Sequence, residues 1–352
     1  MSLTHYRTLG RSGLVVSPAA LGTMTFANAA WGSPNDVSQS VFNAYVDAGG
    51  NFIDTADVYA GGQSEQLVGD LVAARKLRDT LVIATKCGFN AQAGNPHASG
   101  NGRKNIHRAL EGSLRRLQTD YVDMLWMHVY DSVTPVEEVL QTMGDLVRAG
   151  KIRYFGFSDL PAWYAVKAVT LAAAHHVPGP IALQLEYSLT ERSIEREHVP
   201  AARECGLGIM PWSPLAGGFL SGKYKTDALS ESAPRQGRLS GSNPFQGPYT
   251  KFTARNWRVL EQLQTIATQL DRPPAQVALA WAAAQPGITS LILGANGVGQ
   301  LGENLAALDL QLPAEHLQAL SQCSTLDAAF PYGLFTAEGS KMVFGGASVK
   351  AW

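Results

Sequence analysis

A (β/α)₈ barrel of the TIM type, an α/β fold, is the class this sequence predicts, and three features of its 352 residues predict it. Eight short runs recur that are apolar on both faces, as strands of a buried parallel sheet are. Segments with helical apolar spacing separate them, and strand–helix alternation builds parallel sheets. No G-x-G-x-x-G turn follows the first strand, and LGRSG near the start has a different spacing. That weakens the rival, a doubly wound open sheet, and favours closure.

The elements follow in order. The stretch before the first strand is punctuated by Gly and Ser and reads as a β-hairpin lid. The strand candidates are AALGTM (19–24), NFID (51–54), TLVIATK (80–86), YVDMLWMH (121–128), KIRYFGFS (151–158), PIALQLE (180–186), LGIMPWS (207–213) and ITSLILG (288–294). Between them NDVSQSVFNAYVDAGG predicts a helix with Asn35 as its N-cap and glycines at its end. RKNIHRALEGSLRRLQTD, TPVEEVLQTMGDLVRAG and DLPAWYAVKAVTLAAAHH read the same way. Two long loops lack periodicity, 91–102 and 224 to about 252; loops of that length are usually functional or mobile. PAEHLQALSQC predicts a further helix, and the tail FPYGLFTAEGSKMVFGGASVKAW reads as irregular and aromatic. The whole chain, 1–352, is expected to be one domain, with the barrel over about 18–310 and the last helix and tail over about 311–352.

Composition narrows the function. Apolar residues make up 45% and charged residues 16%, the balance of a packed core. A net charge of -1 gives no field toward nucleic acid or an anionic membrane. Cys87, Cys205 and Cys323 are odd in number and far apart, which predicts no disulfide framework and a reducing compartment. Cys87, beside Lys86, reads as a small packed residue. The N-terminal segment has no signal-peptide core, and no run of about 18 apolar residues is present to span a bilayer. A cytoplasmic protein without nucleic-acid or membrane partners is expected. No H-E-x-x-H or Cys/His cluster predicts a metal, and no G-x-S-x-G elbow predicts serine chemistry. His175 and His176 fall near a helix C-terminus, and Arg115 and Arg116 read as a solvated helix face.

In an α/β barrel the chemistry sits at the C-terminal ends of the strands. Three successive strands end in polar residues, Asp54, Lys86 and His128, and Tyr59 lies just beyond the first of them. Charges at such buried ends are costly unless paired, and Asp54 and Lys86 come from adjacent strands. A free tyrosine has a pKa near 10, and a neighbouring ammonium lowers it. Asp54 would hold Lys86, Lys86 would favour the Tyr59 phenolate, and His128 would hydrogen-bond a substrate oxygen. Tyr59 would then serve as general acid in reduction and general base in oxidation. Each residue alone has a plain structural reading as a cap, a core histidine or a packing tyrosine; the four together favour a site.

The strings YRTLGRSGLVVSPAALGTMTF, GGNFIDTADVYAGGQSE, LVIATKCG, LRRLQTDYVDMLWMH and QLEYSLTERSIERE resemble the aldo-keto reductases, and among them a bacterial branch similar to aryl-alcohol dehydrogenases. The likeness runs in order over almost the whole barrel. It implies the tetrad Asp54, Tyr59, Lys86 and His128, and NADPH-dependent reduction of an aldehyde or ketone by direct hydride transfer. It also implies cofactor contacts. Ser158, Asp159 and Gln184 would hold the nicotinamide carboxamide, although relatives often carry Asn where Asp159 stands. Trp212 would stack on the nicotinamide, and Gly22, Thr23, Met24, Ser213 and Leu215 would line the dinucleotide. Gly217 and Gly218 would let the backbone approach the pyrophosphate, with Lys223 offsetting its charge. Gly294, Asn296, Gln300, Glu303 and Asn304 would take the adenosine half at a helix N-terminus. Capping by Ser158 or Asp159, packing by Trp212 and simple exposure of Lys223 remain alternatives.

One departure changes the cofactor expectation. Relatives carry Arg or Lys near Asn296 or Gly297 to grip the 2′-phosphate of NADPH, yet no basic residue occurs between Leu291 and Asn304. This predicts a weakened NADPH preference and use of NADH as well, unless Arg238 in the long loop compensates. The substrate pocket is expected to include Trp31, Tyr59 and His128, which suits an apolar or aryl aldehyde or a medium-sized ketone. Two other functions stay open: a cofactor-binding regulatory subunit with little turnover, and a non-redox sugar isomerase or dehydratase.

Overall fold

In a computed structural model, the structure describes residues 2–28, 32–224, 239 and 251–349. An N-terminal antiparallel hairpin, β1 (Arg7–Thr8) and β2 (Val15–Val16), precedes the barrel. Eight parallel strands then follow: β3 (Ala19–Gly22), β4 (Phe52–Asp54), β5 (Val82–Cys87), β6 (Val122–Met127), β7 (Ile152–Ser158), β8 (Ala182–Glu186), β9 (Gly208–Trp212) and β10 (Leu291–Leu293). They pair in the order β10-β3-β4-β5-β6-β7-β8-β9. A parallel bridge from Ile209 to Ile288, just before β10, draws the two ends together, so the predicted (β/α)₈ barrel is the observed fold.

Helices cover the outside. In chain order they are α1 (Asn35–Asp47), α2 (Gln63–Arg75), α3 (Arg103–Leu117), α4 (Val136–Arg148), α5 (Ala162–Ala174), α6 (His198–Cys205), α7 (Ala254–Gln269), α8 (Pro274–Ala283), α9 (Val298–Ala306), α10 (Ala314–Cys323) and α11 (Ala337–Val343). Five of them, α1, α4, α5, α8 and α10, start directly after a proline cap. Proline's φ is already set for that junction and its missing N–H removes no helical bond. Asn35 is therefore the first helical residue and Pro34 the cap, a correction to the expected Asn35 N-cap. The tail is also less irregular than expected: Thr336 accepts from the Gly339 N–H and starts α11. The 91–102 loop contains one short turn of helix, Pro96–Ala98. No described helix is long and apolar enough to cross a membrane.

Alternation along the strands sorts the core into two layers. Ile53, Ile83, Leu125, Phe155, Leu183 and Ile209 face the helices in the larger cluster. Phe52, Val82, Ala84, Met124, Trp126, Ala182 and Met210 fill the barrel interior with Leu9, Leu14 and Val16 of the hairpin region. The hairpin thus plugs the N-terminal end. Trp126 occupies the space over Gly156, where a Cβ would come within 2.6 Å of the indole. Apolar side chains fill the interior below the rim, and the polar side chains of β4, β5, β7 and β8 that face inward stand at or near the strand ends.

Candidate active site

That last inward row carries Asp54 on β4, Lys86 on β5, Ser158 on β7, Gln184 on β8 and Trp212 on β9, with His128 one residue past β6. Lys86 and Asp54 are both buried. The Lys86 Nζ donates to Asp54 Oδ2 at 2.5 Å, to the Thr55 carbonyl at 2.8 Å and to Tyr59 Oη at 3.1 Å. All three ammonium hydrogens have acceptors, which is what a buried charge requires. Burial alone would lower the Lys86 pKa, but Asp54 and Tyr59 together outweigh it and hold the ammonium above its ordinary value. The other Asp54 oxygen, Oδ1, accepts from Gln184 Nε2 at 2.9 Å. Gln184 is therefore tied to the charged pair as well as facing the mouth.

Tyr59 reaches Lys86 from a turn of unusual backbone. Ala60 (φ 48°, ψ 37°), Gly61 (φ 63°, ψ 29°) and Gly62 (φ 92°) are all left-handed, and α2 begins at the next residue. For Ala60 this conformation costs about 1–2 kcal/mol. Non-glycine residues with positive φ fall into two sets among the described residues. Lys76, Gln118, His176 and Asp271 end helices; Ala27, Ala60, Asp159, Ser213 and Ala216 all lie in loops beyond the C-terminal ends of strands. Strain of this kind collects where surrounding structure fixes a functional geometry.

His128 is buried, and its Nδ1 has no partner among the described residues. Burial, reinforced by the Lys86 charge, holds its pKa well below the usual histidine value, so the imidazole is neutral. The rings of Tyr59 and Phe89 meet it edge-on at 5.9 and 4.6 Å. Phe89 went unread in the sequence; its signal is an aromatic three residues past Lys86. Trp31 and Arg238 lie outside the described residues, as does most of the 224–252 loop.

The expected cofactor residues surround the same rim. Ser158 is buried, and Asp159 follows it in the left-handed conformation at φ 45°. Asp159 keeps some exposed surface, but its carboxyl group is crowded by protein and accepts from Trp212 Nε1 at 3.0 Å. Burial pushes its pKa up to about 7; Glu186 adds to this, while the Trp212 bond, Lys86 and Ser158 oppose it. Glu186 itself pairs with Lys251 at 2.6 Å. The Thr23 N–H and hydroxyl both donate to the Asp54 carbonyl, at 2.9 and 3.2 Å, between buried Gly22 and half-buried Met24.

Beyond β9 the chain coils tightly. Ser213, Ala216, Gly217 and Gly218 all have positive φ, and Ser213 Oγ accepts from the Gly217 N–H at 2.9 Å. Gly218 has a φ of 89°, which favours glycine, and the end of the Lys223 side chain lies close to it over the loop beyond Leu215. Beside it, beyond the neighbouring strand β10, Gly294, Gly297 and Gly299 border open space, with nothing within 4 Å of an added Cβ. There α9 begins. Gln300 Oε1 accepts from the Asn296 N–H at 2.8 Å, Asn304 is buried, and Glu303 is exposed. A glycine-bordered opening at the start of a nine-residue helix, on the strand next to the one that leads into the tightly coiled glycine loop, fits a dinucleotide's phosphates.

His175 caps α5. Cys87 is buried and its thiol is pushed up by burial, so it is an inert packed residue. Arg116 is not solvated as expected: its Nε donates to the buried Glu65 at 2.7 Å, while Arg115 is exposed.

Comparison with known proteins places the chain. It matches the aldo/keto reductase family over residues 19–325. Norsolorinic acid reductase of Aspergillus flavus is 32% identical over 339 residues, covering 94% of this chain and 83% of the relative. Aryl-alcohol dehydrogenase [NADP(+)] of Phanerodontia chrysosporium is 32% identical, covering 94% and 88%. A probable voltage-gated potassium channel subunit beta of Oryza sativa subsp. japonica is 37% identical, covering 87% and 92%. With a closed parallel barrel and a match over most of its length, the chain belongs to the aldo/keto reductase family and is an NAD(P)-dependent oxidoreductase.

Proposed function

We propose that this protein reduces aldehydes or ketones to alcohols, reversibly, with Tyr59 as the proton donor. The observation that carries the reading is the buried Lys86 ammonium held between Asp54 and the Tyr59 hydroxyl. When bound, the reduced nicotinamide supplies the hydride. Tyr59 gives its proton to the carbonyl oxygen, and Lys86 stabilises the phenolate left behind. Because its oxygen accepts from Lys86, the phenol can direct its own hydrogen toward the substrate. Neutral His128 donates a hydrogen bond that orients the carbonyl. Phe89 adds an apolar wall beside His128, which suits an aryl or apolar substrate.

Trp212, Ser158, Asp159 and Gln184 would hold the nicotinamide, and Gly22, Thr23, Met24, Ser213, Leu215, Gly217, Gly218 and Lys223 the centre of the dinucleotide. Gly294, Asn296, Gln300, Glu303 and Asn304 would take the adenosine half. The missing basic residue between Leu291 and Asn304 supports use of both NADPH and NADH. A panel of aromatic and aliphatic aldehydes, assayed with each cofactor, tests the reading. Turnover with both is expected, and a several-hundred-fold NADPH preference in kcat/KM would defeat the cofactor part. The relative named a channel β subunit favours a second reading, cofactor binding with negligible turnover. The same panel separates the two.

Asp159 gives a pH-dependent prediction. Its carboxyl titrates near neutrality, and once ionised it favours the positively charged oxidised nicotinamide over the neutral reduced ring. If the cofactor's charge lowers the Asp159 pKa by about one unit, the affinity ratio of oxidised to reduced cofactor rises about tenfold as pH climbs from below that pKa to above it. Fluorescence titrations of both cofactor forms at several pH values measure this. Asp159→Asn should flatten the dependence; an equally steep ratio in that variant would remove Asp159 from the cofactor site.

A further inference from the structure

Tyr59 is held at its station by something besides the loop that carries it. Behind the 59–62 turn lies a cavity of about 300 Å³, lined in part by Asp57, Val58, Gly61, Arg108 and Arg116. Neither Asp57 oxygen has a partner among the described residues. The back of the turn is therefore not packed solid, and apolar contact alone does not fix three successive left-handed residues. What crosses this space is Arg116 of α3. Its side chain lies flat on Gly62, where an added Cβ would come 2.8 Å from Cδ and 2.9 Å from Nε. The same Nε donates to Glu65 Oε2 at 2.7 Å. Glu65 is fully buried in the first turn of α2, and its other oxygen accepts from Thr85 Oγ1 at 2.5 Å. Thr85 is the residue before Lys86 on β5. One arginine and one carboxylate thus join the end of the Tyr59 turn, the start of α2, a neighbouring helix and the strand that bears Lys86.

We propose that Arg116 and Glu65 are positioning residues for Tyr59, a clamp that sets the distance between its hydroxyl and the Lys86 ammonium. This rests on the reading of Tyr59 as the proton donor. The clamp touches neither substrate nor cofactor. It acts by closing off other conformations of the turn, in which the phenol would move away from the ammonium. Arg is suited to this because its planar fork can bond Glu65 while its face covers Gly62; a lysine offers a point charge without the face.

The test compares Arg116→Lys, the double variant Glu65→Met/Arg116→Met, and Tyr59→Phe, using benzaldehyde with NADPH and NADH. The double variant removes both charges together, so no carboxylate is left buried and unpaired and the protein should stay folded. Arg116→Lys and the double variant should lose about ten- to a hundredfold in kcat, the scale of an angstrom's misplacement. KM and cofactor affinity should stay within about twofold, since binding groups are untouched. The limb of the kcat–pH profile on which Tyr59 loses its proton should move to higher pH by about half a unit as the ammonium's influence weakens. The other titratable groups facing this pair are Asp54, His128 and Asp159; Asp57 and Arg108 face the clamp. Asp57, pushed up to about 7 by burial with Glu65 adding to this and Arg116 and Arg108 opposing, shifts with these substitutions, so the profiles are compared in an Asp57→Asn background, where the displacement reports the Tyr59–Lys86 pair. A folded double variant with wild-type kcat and an unmoved limb would overturn the clamp, and so would a fall in kcat matched by loss of folded protein alone. Retained turnover in Tyr59→Phe would instead overturn the reading of Tyr59 beneath it.

Discussion

Tyr59→Phe is expected to lower kcat/KM for aldehyde reduction by about 10²- to 10⁴-fold, the usual contribution of a placed general acid. The ring stays, so its edge contact with His128 at 5.9 Å and its place over Lys86 stay too. Only the hydroxyl that accepts from Lys86 is lost. Cofactor affinity should therefore barely change, while stability should fall by about 1–3 kcal/mol because one hydrogen of the buried ammonium loses its acceptor. The assay is steady-state reduction of an aromatic aldehyde beside a fluorescence titration of NADPH. Turnover within a few-fold of the parent protein would mean that the proton comes from elsewhere.

The second large effect concerns the buried pair. Lys86→Met leaves the Asp54 carboxylate enclosed with Gln184 as its remaining side-chain donor. Removing one partner of a buried ion pair typically costs about 3–5 kcal/mol, so urea unfolding should show a marked fall in stability together with lost turnover. In the double variant Asp54→Asn/Lys86→Met, no charge is stranded. Most of the stability should return while the activity does not. That split distinguishes a group kept for chemistry from one kept for folding. A double variant with parental kcat would show that the pair only holds the strands in place.

Much of this site can be read directly from the chain because alternation in a strand is simple. Inward positions are apolar until the rim, so Asp54, Lys86 and His128 stand out as polar residues ending buried runs, whereas Gln184 is implied only by the family resemblance. The match to known proteins then agrees with the fold that those runs imply. Other features have no local signal. Arg116 and Glu65 are far apart in sequence, and a basic pair on a helix face looks solvated until the turn it covers is in view. Ala60, Ser213 and Ala216 give no hint of left-handed backbone, because tertiary contacts impose it. The bond from Gln184 to Asp54 spans the barrel and depends on closure. The start of α11 differs again: Thr336 is a readable cap, and the aromatic residues around it obscure the signal.

The hairpin stopper and the indole of Trp126 make the tube a cup rather than a pipe. Whatever reacts must arrive and depart over the same lip. Two molecules sharing one doorway cannot exchange independently: the one seated deeper has to enter first and leave last. For an oxidoreductase of this shape, release is then expected to be ordered, with the deeper guest the last to depart in each cycle. Trapping experiments that follow exit separately from bond-making would reveal it.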